Sequence, residues 1–376
     1  MDHPEQTVGD AGRRDVADRA DADSWSVRIV ADPGPPTATV DRIRTRLDKR
    51  LSEAAGIGSL TADTETLALN PDGGLLIPER GHALHDDASV VVVITEFPRT
   101  DRRRGLIAEV DHRQSTVVVS LPALGLATHR LLPVLVAAVT RIRTPAESKA
   151  PHGTRWQPGE RDDIEFLAGR RLLSRTRMVA GMVRGNRPWR LIPTLTGLMA
   201  AAAATASFGV FYSSIWAMAN ALSPWRLAGL SVLSVVVMTV WLIANNRLWE
   251  RGGSLPSARA RLYNAATATT VLLNAAVLYV GLFVATACAA LAVIDSGFLA
   301  QELGRPSASY RDYGYLAWLA TSMGTVAGAV GSSADSYEDI LSATYGYRER
   351  GRRRAEDDHE RRIEASRETT RDEQET

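Results

Sequence analysis

The sequence predicts two unlike parts: a cytoplasmic α/β domain built on a mixed sheet, followed by an all-α domain of four transmembrane helices. Three observations carry this expectation. The chain has 376 residues, enough for two separately packed units. Charged side chains crowd residues 1–190 and 335–376, while nearly all of 191–334 is apolar or small and polar. Within that stretch, charge-free runs cover 191–225, 227–246, 262–294 and 313–334. A bilayer crossing needs roughly 20 such residues, and a buried helix of a soluble core rarely needs more than about 14.

Residues 1–23 are polar and acidic, lack the apolar core of a cleavable signal, and read as a disordered tail. The α/β domain is expected over residues 24–145. Its first strand is "SWSVRIVAD" (24–32), which alternates like a half-buried strand. "TVDRIRTRLDKRLSEAAG" (39–56) repeats apolar residues at helical spacing and stops at a glycine. "ASVVVVITEFP" (88–98) is apolar on both faces, the pattern of a central strand. "GLIAEVDHRQSTVVVSLPALG" (105–125) reads as two strands joined by a polar turn near Asp111 and Gln114. "HRLLPVLVAAVTRIRT" (129–144) is an apolar helix too short to span.

Residues 146–190 are expected to form a linker, marked by Pro151, Gly153 and Pro158, and an arginine-studded juxtamembrane helix. That amphipathic helix, "RDDIEFLAGRRLLSRTRMVAGMVR" (161–184), favours a bilayer with anionic headgroups. The transmembrane domain (191–334) then holds helices near 195–218, 227–246, 266–294 and 313–333. The last is the least hydrophobic, but Ala320, Gly324, Gly328 and Ser332 recur every four residues. Small residues at that spacing let helices approach closely in lipid. Gly197, Ala201, Thr205 and Gly209 offer a similar ridge on the first helix. Asn274 is the one strongly polar side chain at depth and reads as an interhelical packing residue.

Arginine counts in the loops set the orientation. Seven arginines from Arg170 to Arg190 precede the first run, and only Arg226 lies in the first connection. Four arginines, Arg247 to Arg261, fill the second connection; the third is slightly acidic; Arg348 to Arg354 follow the fourth run. Both termini are therefore expected in the cytoplasm, with a charged cytoplasmic tail over 335–376, in a multi-pass protein of the plasma membrane.

Several chemistries find no support. The 44 basic and 43 acidic residues nearly cancel, which argues against nucleic acid as a partner. Cys288 is the only cysteine, so no disulfide framework or cysteine-based metal site forms within one chain. There is no HExxH and no GxxxxGK[ST]; "GIGSLT" (56–61) lacks the third glycine of a dinucleotide loop. "HALHDD" (82–87) gathers metal-binding residue types without a zinc spacing. Ser120 in "SLPALG" lacks the glycines of a nucleophile elbow and reads as structural. No catalytic residue, metal or cofactor is expected.

The most suggestive stretch is "TEFPRTDRRRG" (95–105), at the C-terminal end of the apolar strand, where open α/β sheets place ligands. Thr95, Glu96, Arg99, Asp101, Arg102, Arg103 and Arg104 combine donors and acceptors there. They suit a cytoplasmic protein segment or a phosphorylated or acidic ligand.

"ITEFP", "SLPALG", "RLYNAAT", "YLAWLATSMGTVAGAVG" and "TYGYRER" give the chain a resemblance to a largely uncharacterised actinobacterial family of multi-pass membrane proteins. The likeness covers most of residues 25–350. It implies the same order of cytoplasmic domain, membrane helices and charged tail, and a plasma-membrane location, with no catalytic residues to carry over. The function expected is a non-enzymatic binding, scaffold or sensor protein that can form a homo-oligomer. A small transporter or channel component and a membrane enzyme with an unfamiliar site are the alternatives.

Overall fold

A computed structural model describes residues 25–66, 88–101, 104–159, 161–169, 171–186, 195–250 and 257–332. The histidine-bearing stretch 82–87, Arg102, Arg103, residues 1–23 and the tail 335–376 lie outside the described residues. The chain divides into two compact units, the first holding residues up to Gly185 and the second Asn186–Arg354.

The first unit is a mixed sheet. In chain order it runs β1 (Trp25–Ala31), α1 (Pro35–Ala55), β2 (Ile57–Thr64), β3 (Val90–Thr95), β4 (Thr100–Asp101), β5 (Arg104–Asp111) and β6 (Thr116–Ser120). There follow 3-10 turns Leu121–Leu124 and Thr128–Arg130, α2 (Leu131–Arg143), β7 (Thr154–Pro158), β8 (Ile164–Gly169) and α3 (Arg171–Asn186). The spatial order is β2-β1-β3-β6-β5-β8-β7, with β4 hanging on β5. β2, β1, β3 and β6 are parallel neighbours, and β5, β8 and β7 join antiparallel.

Sequence pattern explains the placement. β3, VVVVIT, is buried at every position between β1 and β6, as a parallel strand covered on both faces must be. α1 begins with Pro35 and Pro36, whose missing N–H groups cost nothing in a first turn. It buries Val40, Ile43, Leu47, Leu51 and Ala55, one stripe at helical spacing. It ends at Gly56 in the left-handed region, φ 59°. Arg143 at the end of α2 donates to the carbonyls of Ala55 and Gly56 and lies over the Trp25 ring, tying α2 to the end of α1.

The sheet does not stop at Pro145, where the sequence places a linker. β8 occupies the free edge of β5 and β7 closes it, so Ile164–Gly169 is a strand rather than the first turns of a helix. IEFLAG is a short apolar run whose periodicity cannot separate strand from helix, and the unpaired edge of β5 decides it. α3 begins only at Arg171 and packs back on the sheet through buried Met178 and Met182. Gly181 lets it touch the Leu121–Leu124 turn: a Cβ there would stand 2.1 Å from the Pro122 carbonyl oxygen. The expected juxtamembrane helix is thus part of the α/β unit.

The second unit is helical. It comprises α4 (Thr196–Phe211), α5 (Ser213–Ala221), α6 (Pro224–Asn245), α7 (Ser257–Val293), α8 (Ser296–Glu302) and α9 (Tyr310–Gly331). Among the described residues two helices, Pro224–Asn245 and Ala258–Val293, are long and apolar enough to cross a membrane. The expected continuous span over 195–218 is instead two helices bent by 87° at Tyr212. The Trp216 indole N–H reaches back 3.0 Å to the Gly209 carbonyl, satisfying an acceptor that the break releases. α9 opens with a capping box: the Asp312 carboxylate accepts from the Ser309 amide and hydroxyl at 2.7 and 2.8 Å.

Gly324 and Gly328 sit where α9 meets α4. A Cβ on Gly324 would lie 2.6 Å from the Ala202 carbonyl oxygen, and one on Gly328 would lie 3.0 Å from that of Leu198. On α4 Leu198, Ala202 and Ala206 face these two glycines, and the ridge read in the sequence meets α9 as well, Gly209 against Ala320 and Gly197 and Ala201 against Gly331. Asn274 is buried on α7. Interhelical polar links are made by Tyr279 of α7, which joins Ser231 of α6 at 2.8 Å and Ser322 of α9 at 2.9 Å.

Candidate functional site

The strand order creates the site. From β1 the chain passes through α1 to β2 on one side, and β3 then enters on the other. The C-terminal ends of β1 and β3 therefore mark the switch point of the parallel part of the sheet, the usual ligand position in such folds.

Asp32 follows β1 directly and is fully buried. Its Oδ2 accepts from the Thr95 hydroxyl at 2.7 Å and from the Glu96 amide at 3.0 Å. The Thr95 hydroxyl in turn accepts from the Phe97 amide at 3.1 Å. A buried carboxylate must be compensated by such donors, and here they lock the first residues of the loop after β3. Glu96 lies buried beside Asp32.

Gly34, at φ 97°, turns the chain into α1. A helix start commonly offers amides to an anion, but Pro35 and Pro36 have none. The next two amides are occupied, Thr37 by the Asp32 carbonyl at 3.3 Å and Ala38 by the Gly34 carbonyl at 3.0 Å. This first turn does not form a phosphate cradle.

Beyond Glu96 the chain makes a hairpin. The Ser120 hydroxyl donates to the Phe97 carbonyl at 2.8 Å and accepts from the Arg99 amide at 3.4 Å. Ser120 therefore braces the loop. Thr100 and Asp101 pair with Gly105 and Arg104 across β4 and β5. Gly105 is fastened to α3, its amide donating to Ser174 Oγ at 2.6 Å. Arg99 Nη2 forms an ion pair with Glu109 at 2.6 Å, whereas Arg99 Nη1 is buried with no hydrogen-bond partner.

The structure thus ties Thr95 and Glu96 to Asp32, and places Arg99, Asp101 and Arg104 in the hairpin that follows, with the Arg99 guanidinium at Glu109 of β5. Arg102 and Arg103, at its tip, lie outside the described residues. Sequence reasoning missed Asp32, although the signal was present: a carboxylate directly after an alternating strand, followed by Pro-Gly and a helix. Among the described residues no three His, Cys, Asp or Glu side chains are grouped as a metal would require.

A second polar cluster spans other strands. Arg141 grips Glu165 with two bonds of 2.6 and 2.7 Å, and His112 Nε2 lies 3.0 Å from the same carboxylate. The Arg141 hydrogen bonds hold the Glu165 carboxyl below its ordinary value of 4.5; burial opposes this and His112 adds to it. A depressed folded-state pKa means stability present above about pH 4.5 and lost as pH falls through the folded value. Acid titration of Glu165→Gln is expected to show a shallower loss of stability below that pH than the parent protein. Parallel curves would remove Glu165 from the acid transition.

No protein-family model, curated protein or solved structure matches this chain.

Proposed function

We propose that this chain is an integral plasma-membrane protein with four crossings and both termini in the cytoplasm, and that its α/β unit is a non-enzymatic binding or sensor module. Two apolar helices and the loop arginines support the location. For the first crossing, α4 and α5 together form one bent span. For the last, α9 buries Leu316, Ala317, Ala320, Thr321, Gly324 and Thr325. A helix enclosed by others meets little lipid and requires fewer apolar side chains, which accounts for its modest hydrophobicity.

The observation that carries the binding reading is Arg99 Nη1. A buried donor left without an acceptor calls for an explanation, and a ligand oxygen that enters when the hairpin shifts to expose Nη1 supplies one. The carboxylate or phosphate of an acidic protein segment or small ligand fits a guanidinium already oriented by Glu109. Ser120 and Thr95 are both committed to loop hydrogen bonds, which disfavours a nucleophilic role for either.

The test is capture of partners by tagged full-length protein in mild detergent, read by mass spectrometry. Neutralising the pair together, Arg99→Gln with Glu109→Gln, avoids leaving an unpaired charge. Loss of a charge-assisted hydrogen bond of about 1.5–3 kcal/mol should weaken retention of the ligand by roughly 10–150-fold. Glu96→Gln should also reduce it, whereas His82→Ala with His85→Ala should not. Retention unchanged by the first pair and abolished by the second would refute this site.

A further inference from the structure

The α/β unit carries a second feature that this site does not use. Between the turns after β6 and the outer face of α3 lies an open groove of about 790 Å³. Leu126 and Leu173 stand on it 72% and 60% exposed, and Arg130, Arg177 and His152 line it with no carboxylate among its lining residues. Arg177 is fixed by donating to the Ala123 carbonyl at 3.1 Å. Neither Arg130 nor Arg177 has an ion-pair partner among the described residues. Burial, and then the like charge of Arg130, lower the Arg177 pKa from its ordinary value. Two guanidinium groups are thus held near each other at an energetic cost that a bound anion would relieve.

We propose that this groove docks on the anionic phospholipid surface of the membrane, with Arg130 and Arg177 on headgroup phosphates and Leu126 and Leu173 inserted at the acyl boundary. The inference rests on the membrane reading above and adds the surface that meets the lipid. The pairing of bare leucines with uncompensated arginines distinguishes a lipid interface from an acidic peptide, which would match the charge and leave the leucines in water. The turn that displays Leu126 is also rigidly backed. Arg184 Nη1 donates to the Gly125 carbonyl at 2.6 Å, and Gly125 has φ 66°. α3 itself leads in sequence toward the charge-free stretch that begins five residues after Asn186, at Leu191.

Hydrogen–deuterium exchange of the full chain in lipid nanodiscs tests this, comparing pure phosphatidylcholine with discs containing about one-third phosphatidylglycerol. The amides of residues 124–130 and 173–180 should exchange at least about fivefold more slowly in the anionic discs. Arg130→Glu and, separately, Leu126→Ser should erase that difference while exchange of β3 stays as in the parent, which shows the fold intact. Equal exchange in the two lipids by an incorporated chain overturns this inference alone. So does protection that ignores lipid charge and disappears when residues 355–376 are deleted, since the tail would then be the occupant. A chain that stays out of the discs overturns the membrane reading as well.

Discussion

Replacing Gly324 and Gly328 together by leucine should disrupt the helical unit, lowering its stability in detergent by about 3 kcal/mol or more. The reason is geometric. Even a methyl group at Gly324 would stand 2.6 Å from the Ala202 carbonyl oxygen and 3.1 Å from the Ala206 side chain. The nearest obstacle is helix backbone, so the two helices can only move apart, and close packing is a principal force holding helices together in lipid. Gly324→Ala alone should already be destabilising. Gly229→Leu is the control, because no heavy atom lies within 4 Å of a Cβ built there. Thermal unfolding followed by circular dichroism should show a large fall for the first variant and little change for the control. Equal melting temperatures would mean that α9 does not rest on α4 through these glycines.

The second large effect lies in the α/β unit. Gly181→Val drives a branched side chain into the Pro122 backbone, whose oxygen, carbonyl carbon and Cα lie 2.1, 2.7 and 2.8 Å from the ideal Cβ. The expected loss is about 3 kcal/mol or more, or roughly 6–12 °C in melting temperature for a unit of this size. Truncation makes the same point. A fragment of residues 24–145 lacks β7, β8 and α3, leaving the β5 edge unpaired and uncovering what Leu167, Met178 and Met182 bury. It should aggregate or remain unfolded in detergent-free buffer, while residues 24–186 should give a cooperative transition. A well-folded 24–145 fragment would contradict the extended sheet.

The elements with strong periodicity were legible in the sequence. β1, β3, β5, β6, α1 and α2 coincide with the alternating, continuous or helical apolar patterns that announced them. The missed strands have a common cause. β2 lies at the sheet edge with mostly exposed residues, and β7 and β8 are five and six residues long. Such segments become strands because a neighbour offers an unpaired ladder, which composition does not reveal. The break at Tyr212 was hidden for a related reason. No proline or glycine occupies it, and the compensating contact is a tertiary one, from Trp216 to Gly209.

The site was half legible. A polar run after an apolar strand pointed to Thr95, Glu96 and Arg99. That Asp32 anchors them depends on β1 and β3 being neighbours, a contact across 63 positions of sequence. Likewise the unpartnered Nη1 of Arg99 follows from Glu109 engaging only the other nitrogen, which no spacing rule predicts.

The claim on which the rest depends is that the helical unit spans the plasma membrane an even number of times, leaving the α/β unit inside. Paired reporters, one active only in the cytoplasm and one active only outside, fused before residue 24, after residue 222 and after residue 376 test it directly. The arginine distribution predicts cytoplasmic activity at both ends and outside activity at the loop before α6. Outside activity at residue 376 would show an odd number of crossings and contradict the claim, and cytoplasmic activity at all three positions would show that the bent pair α4 and α5 does not cross.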